Sequence, residues 1–277
     1  MTSARRTALV TGASRGIGKA TAIALATSGF DVAITARTVH EGEGVDDSDD
    51  QGRLVPGSLE STASEITSRG GKALIIEMDL LDRASLLAAV STTLNSWNHI
   101  DLLVNNAVHT GPGSMTTFGN TSIEMIETKL AANEVAPVVL IKAVLPGMLE
   151  RDTGTIINIT SAVAMTDPPA PAGQGGWGSA YAMSKGAFHR LAGILAVEYP
   201  TLRFFNVEPG YVVTERMEVN AERLGLKGKY PGAKASVPAS VVAWCATAIE
   251  ANSLNGQTVS AQRVAREQDL HPPWDRS

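Results

Sequence analysis

Short apolar runs alternate with longer amphipathic ones along most of the chain. Thr7–Val10, Asp31–Ala36, Lys72–Met78, Ile100–Val104, Thr155–Ile159, Leu202–Val207 and Gln257–Ser260 are brief and, except the last, apolar in the main. Such runs, apolar on both sides of the period-two pleat, are what strands covered on both faces require. Between them the spacing predicts helices from Gly16 to about Ser28, Ser58 to Arg69, Ala84 to Asn95, Ser122 to Glu150 with a kink at Pro137, Tyr181 to Glu198, and Val237 to Glu250. Regular alternation of the two patterns predicts an α/β fold. The expectation is a single doubly wound, Rossmann-like domain over residues 1–277, with about seven parallel strands and helices on both faces.

Two stretches break the alternation. Residues 38–57 place Glu41, Glu43, Asp46, Asp47, Asp49 and Asp50 among glycines ahead of Pro56-Gly57. This reads as a flexible acidic surface insertion, kept away from any bound phosphate because like charges repel. Its acids have no recognisable ligand spacing, so no metal site is expected. Residues 211–236, with Gly and Lys recurring beside Met217, read as a substrate lid, and the polar tail to Ser277 reads as a surface segment.

Composition narrows the partners. With 44% hydrophobic residues, 18% charged residues and a net charge of −5, the chain is globular and has no overall basic field, which argues against nucleic acid. Cys245 is the only cysteine, so an intramolecular disulfide is impossible and the cytoplasm is the default compartment. The first apolar run is too short for a signal sequence or a membrane span, so no membrane association is expected.

Chemistry concentrates at the ends of the expected strands. After the first comes Thr11-Gly12-Ala13-Ser14-Arg15-Gly16-Ile17-Gly18, a glycine turn leading into a helix. Glycines there let the backbone approach a pyrophosphate, and free N–H groups at the helix start can bind it. The second strand ends in Ala36-Arg37. An acid at this place grips a ribose 2′-hydroxyl, whereas arginine suits a 2′-phosphate, so Arg37 with Arg15 points to NADP(H) as the preferred cofactor and leaves NAD(H) possible. Asp79, followed by Leu80, is placed either to meet an adenine amino group or, like Asp82, to cap the next helix. The amides of Asn105-Asn106-Ala107 suit either a cofactor contact or a turn. Asn133, on an apolar helical face, is either a satisfied amide or the holder of an ordered water.

Tyr181-Ala182-Met183-Ser184-Lys185 puts a phenol and an ammonium four residues apart, on one helical face. A tyrosine titrates near ~10, and poising it near neutral pH takes roughly 4 kcal/mol, which the Lys185 charge together with a bound cofactor's positive charge could supply. Beyond it, Trp177, Met183, Tyr211, Met217, Leu224, Leu226 and Tyr230 are candidates for an apolar substrate pocket. His109 either faces that pocket or, on the simpler reading, lies on the surface.

In this order the motifs resemble those of the classical short-chain dehydrogenase/reductase family over nearly the whole chain. Thr11–Gly18 is similar to its glycine turn, Asn105–Ala107 to most of its N-N-A-G, and Asn133, Ser161, Tyr181 with Lys185, and Pro209-Gly210 with Thr214 follow in the family order. The resemblance implies an NADP(H)-dependent interconversion of a secondary alcohol and a carbonyl compound. Asn133, Ser161, Tyr181 and Lys185 would be catalytic. Gly12, Ser14, Arg15, Gly16, Ile17, Gly18, Arg37, Asp79, Leu80, Asn106, Ala107, Tyr181, Lys185, Pro209, Gly210, Val212 and Thr214 would bind the cofactor. A homodimer or homotetramer is implied too. The chain departs from the family at Val108, in place of a glycine, in the long Ser161-to-Tyr181 interval, and at Ser260-Ala261-Gln262-Arg263, where Gly-Gly is usual. The alternatives are a nucleotide-binding sensor or scaffold without turnover, against which the intact Ser161, Tyr181 and Lys185 argue, and an epimerase or dehydratase with a recycled cofactor.

Overall fold

The computed structural model describes residues 5–48, 51–221 and 232–274. Its first half comprises β1 (Arg6–Thr11), α1 (Gly16–Thr27), β2 (Phe30–Ala36), α2 (Leu59–Ser68), β3 (Ala73–Glu77), α3 (Arg83–Trp97), β4 (Leu102–Asn105), α4 (Ile123–Leu130) and α5 (Ala136–Glu150). The second half comprises β5 (Thr155–Ile159), α6 (Ser179–Glu198), β6 (Arg203–Glu208), β7 (Val212–Val213), α7 (Glu215–Asn220), β8 (Ala233–Lys234), α8 (Ser236–Thr247), β9 (Thr258–Ser260) and α9 (Ala261–Glu267). Seven strands form one sheet in the order β3-β2-β1-β4-β5-β6-β9, and every neighbouring pair is parallel.

The sheet is covered on both faces because its strands are apolar at both phases of the pleat. Ala8, Val10, Val32, Ile34, Leu102, Val104, Ile157 and Phe205 point into one core with Ala22 and Leu25 of α1 and Val242 of α8. The alternate positions Leu9, Ala33, Leu103, Ile156 and Phe204 fill a second core with Leu86 of α3, Leu140 of α5 and Ala192 of α6. Strand order reverses between β1 and β4, and the crevice outside the carboxyl ends of the strands at such a reversal is where this architecture binds ligands.

The long apolar helix differs from a simple kinked rod. Between α4 and α5, Ala131–Val135 form a turn of π-helix, directly ahead of Pro137, whose missing N–H leaves the ladder one donor short. Ile123–Glu150 is long and apolar enough to cross a membrane by length and composition, but Ala136, Leu140, Val144 and Met148 of this run are buried in the second core. The tail also departs from expectation. Residues 261–267 form α9, which buries Ala261, Val264 and Ala265, and Arg266 lies over the Trp274 ring at 4.6 Å.

The acidic insertion is not held off the body of the protein. Val45 and Leu54 pair antiparallel, and Asp46 is buried. Its carboxylate accepts from the Ser48 hydroxyl at 2.7 Å and from Asn220 Nδ2 of α7 at 2.8 Å, with Arg53 at 3.4 Å and Arg216 at 3.8 Å. Placing it away from the phosphate end fails because the cations Arg37, Arg53 and Arg216 offset the charge that was expected to repel. Asp49, Asp50 and residues 222–231, including Leu224, Leu226 and Tyr230 of the expected lid, lie outside the described residues.

Candidate active site

A cleft of about 650 Å³ opens along the carboxyl ends of the strands. Its floor begins at the turn after β1. Gly12 and Gly16 have φ of +67° and +56°, where a side chain would be strained. Gly18 does not line the cleft. A Cβ there would stand 2.1 Å from the Gly12 carbonyl oxygen and 2.4 Å from Asn106 Nδ2, so this glycine lets α1 close against the turn. Asn106 then ties the turn to β4, its Nδ2 donating to the Thr11 and Gly12 carbonyls at 2.8 and 3.2 Å. Thr11 Oγ1 accepts from the Asn106 and Ala107 N–H groups, each at 2.9 Å.

The turn already holds an anion of the chain itself. The Gly16 N–H donates to Glu215 Oε2 at 2.9 Å, so the helix start presents a carboxylate-binding donor, as a diphosphate site requires. Thr214 sits over the same turn, and its hydroxyl caps α7 by accepting from the Met217 N–H at 3.4 Å. At the end of β2, Arg37 and Arg15 both border the cleft, yet both are engaged. Arg37 Nη2 pairs with Asp47 Oδ2 at 2.8 Å. Arg15 donates to the Pro56 and Gly57 carbonyls, both at 2.9 Å, and to Thr38 Oγ1 at 3.2 Å. Asp79 lines the cleft beside Leu80, while Asp82 is the residue that caps α3, accepting from the Ala84 N–H at 2.9 Å.

The acid–base candidates converge further along. Ser161, Tyr181 and Lys185 line the cleft together with Pro209, Gly210 and Val212. Lys185 is buried on α6 and its Nζ donates to the Ile159 carbonyl at 3.0 Å. Burial lowers its ammonium to about 8. Burial also pushes the Tyr181 phenol above its ordinary value, and a hydrogen bond with Ser161 pulls it back only in part. The phenol is thus raised, where the helical pairing alone predicted a lowering by Lys185, because a buried phenolate loses more hydration than its one hydroxyl partner returns.

Asn133 stands behind this site and does not line the cleft. Its Oδ1 accepts from the His109 N–H at 2.7 Å, and its Nδ2 donates to the His109 carbonyl at 3.3 Å and to Ser184 Oγ at 3.2 Å. Of the two sequence readings, the satisfied amide describes these contacts. His109 is half-buried in the cleft wall, contrary to the surface reading, with Nδ1 3.7 Å from Asp47. Burial, and after it the charge of Lys129, lowers its pKa. Lys129 is itself buried, lowered to about 8 by desolvation, and donates to the Gly111 carbonyl at 2.5 Å.

Of the apolar pocket candidates, Tyr211 and Met217 line the cleft, while Trp177 and Met183 do not. Sequence reasoning missed Thr38, Val45, Asp47, Thr110 and Arg216, all of which line it. It also missed Gln262, whose Nε2 holds the Pro209 and Tyr211 carbonyls at 3.1 and 3.0 Å. The departure from Gly-Gly at Ser260–Arg263 was the available signal for Gln262. No signal pointed to Asp47, since an acid eleven residues past the end of β2 carries no spacing rule.

Comparison with known proteins adds to this geometry. The family model for short chain dehydrogenases matches residues 6–53 and 53–224. A 3-oxoacyl-[acyl-carrier-protein] reductase of Synechocystis sp. is 32% identical over 216 residues, covering 78% of each chain. The 2-(R)-hydroxypropyl-CoM dehydrogenase of Xanthobacter autotrophicus is 32% identical over 212 residues, 76% of this chain and 75% of the dehydrogenase. Among solved structures, a 3-oxoacyl-[acyl-carrier protein] reductase from Brucella melitensis in complex with NAD superposes with a TM-score of 0.74 and 28% identity, covering 93% of this chain and 96% of that one. An actinorhodin polyketide ketoreductase with NADPH shares the fold, with a TM-score of 0.76 and 24% identity over 92% and 95% of the two chains. The chain belongs to the short chain dehydrogenase family, NAD(P)-binding oxidoreductases that act between CH–OH and carbonyl groups.

Proposed function

We propose that this protein reduces a small-molecule carbonyl compound to a secondary alcohol, and catalyses the reverse, with NADP(H) as the preferred cofactor and NAD(H) accepted. The observation that carries the reading is the convergence of Ser161, Tyr181 and Lys185 on one cleft, with Lys185 its only buried ammonium among the described lining residues. When bound, the nicotinamide supplies the hydride. Tyr181, raised by burial, is protonated at neutral pH and donates its proton to the carbonyl oxygen as negative charge develops there. Ser161 donates a second hydrogen bond to the same oxygen. Lys185, one turn along the same face of α6, brings a positive charge to the cleft and can hydrogen-bond a ribose of the cofactor. Asn133 acts as a positioning residue that fastens the β4 loop to α6 through His109 and Ser184.

On the cofactor side, the glycine turn with the Gly16 N–H fits the diphosphate, and Asp79, Leu80, Asn106 and Ala107 border the remaining length of the cleft. Arg37 and Arg15, with no acid at Ala36, support the 2′-phosphate. A cytoplasmic homodimer or homotetramer is the reading that fits the family. The test is titration with NADPH and NADH, followed by absorbance at 340 nm with a panel of ketones. NADPH binding at least fivefold tighter than NADH, with turnover of at least one carbonyl, is expected. Equal or tighter NADH binding refutes the cofactor preference, and a chain that binds NADPH but turns over no carbonyl in the panel counts against the reaction.

A further inference from the structure

The two positions suited to a dinucleotide's negative groups are both held by carboxylates from segments outside the parallel sheet. Asp47, from the insertion, takes the guanidinium of Arg37 at 2.8 Å. Glu215, from α7, takes the N–H of Gly16 at 2.9 Å. The two anchors differ in what they read. Every dinucleotide of this type brings a diphosphate to the glycine turn, but only the phosphorylated form brings a 2′-phosphate to the end of β2.

We propose that Asp47 is a specificity-determining residue, an internal anion that competes with the 2′-phosphate for Arg37, and that Glu215 is its non-selective counterpart at the diphosphate. Resting on the cofactor reading above, this inference names the residues that set its strength. Asp47 is held where it can compete. Its Oδ1 accepts from Thr110 Oγ1 at 3.0 Å, and Arg216 Nη1 lies 3.6 Å away. Those partners, with Arg37, keep the carboxyl ionised against the cost of its burial. The cleft therefore does have a carboxylate at its adenosine corner, supplied by the insertion and not by β2. Its presence lowers the NADP preference that two arginines alone would give.

The competition is electrostatic, so it has a predictable signature. Freeing the half-exposed Arg37 from its ion pair, so that it can make a charge-assisted hydrogen bond to the phosphate, changes affinity by about tenfold at low salt, and by less as salt is added. Asp47→Asn keeps the shape and an acceptor for Thr110. It is expected to tighten adenosine 2′,5′-bisphosphate about tenfold while leaving adenosine 5′-monophosphate within about twofold. Glu215→Gln is expected to tighten both ligands by similar factors.

The experiment is isothermal titration of wild type, Asp47→Asn, Glu215→Gln, Arg37→Ala and the Asp47→Asn/Arg37→Ala double variant with these two nucleotides, each variant first checked for a cooperative melt. No turnover is involved, so the result is independent of substrate identity. In the Arg37→Ala background the gain from Asp47→Asn should vanish, which a general loosening of the insertion would not do. If wild type binds the bisphosphate but Asp47→Asn binds it no tighter, or tightens both nucleotides alike, the proposal is overturned and the cofactor reading stands. If wild type binds the bisphosphate no better than the monophosphate, and Asp47→Asn does not change that, both fall.

Discussion

Replacing Asp46 by alanine is the sharpest test of how the insertion is built. The carboxylate has no solvent exposure in its side chain, and its ion-pair partners Arg53 and Arg216 keep side-chain exposures of 28% and 22%. Removing one member of a fully buried pair costs about 3–5 kcal/mol. Here the guanidiniums can turn partly to water and Arg216 keeps Asp47 at 3.6 Å, so the loss falls below that range, at about 2–3 kcal/mol. For a domain of this size, that lowers Tm by roughly 4–8 °C. Urea unfolding at pH 7 should show a reduced midpoint at constant slope. The pH dependence has a definite sign. Burial raises the Asp46 pKa, but the Ser48 and Asn220 hydrogen bonds outweigh it and leave the folded value below the ordinary one. A depressed carboxylate stabilises the fold above its unfolded pKa and loses that contribution as pH falls through the folded value. The gap between wild type and Asp46→Ala should therefore be constant from about pH 5 to 8 and close below about pH 4. A variant with an unchanged midpoint at pH 7 would show that the insertion is not anchored to α7 in the way described.

Further expectations follow from individual groups. With Lys185 lowered to about 8, kcat/KM for NADPH in the reductive direction should be flat from about pH 6 to 7.5 and fall with a one-proton slope above about 8; a flat profile to pH 9.5 contradicts this. Burial pushes the Cys245 thiol up to about 12, so the native protein should not react with a disulfide reagent at pH 8 while the urea-unfolded chain titrates one thiol. Gln262→Ala removes both hydrogen bonds to the Pro209–Tyr211 segment. A rise of about three- to tenfold in carbonyl KM with a smaller change in melting temperature is expected, and an unchanged KM refutes the positioning role.

The sheet was legible in the sequence because its strands are buried on both faces, so each appears as a short apolar run closed by a polar turn. Thr155–Ile159 matches its strand to the residue. A helix start was readable where capping chemistry marks it, as at Asp82, whose side chain accepts from the Ala84 N–H to open α3. What the sequence did not disclose are contacts between segments far apart in the chain. Asp46 and Asn220 meet across 174 positions, and no periodicity links them. Charge alone misdirected the reading of the insertion, since a cluster of acids looks solvated until the arginines that face it are placed. Gly18 was found by the glycine spacing and Asn133 as an amide on an apolar helical face, but their position behind the cleft depends on the π-turn and on the approach of α1 to Asn106, which only the packing reveals.

The most direct test of the account is Tyr181→Phe, assayed beside wild type with NADPH and whichever carbonyl wild type reduces best, with cofactor binding measured on the same samples. The substitution keeps the ring on α6 and removes only the proton donor paired with Ser161. Loss of a positioned general acid lowers turnover by about 10²–10⁴-fold, and NADPH affinity should stay within about threefold of wild type, since the hydroxyl is one contact among many. A Tyr181→Phe protein that binds NADPH normally and reduces the carbonyl at near the wild-type rate would contradict the assignment of Tyr181 as the group that moves the proton.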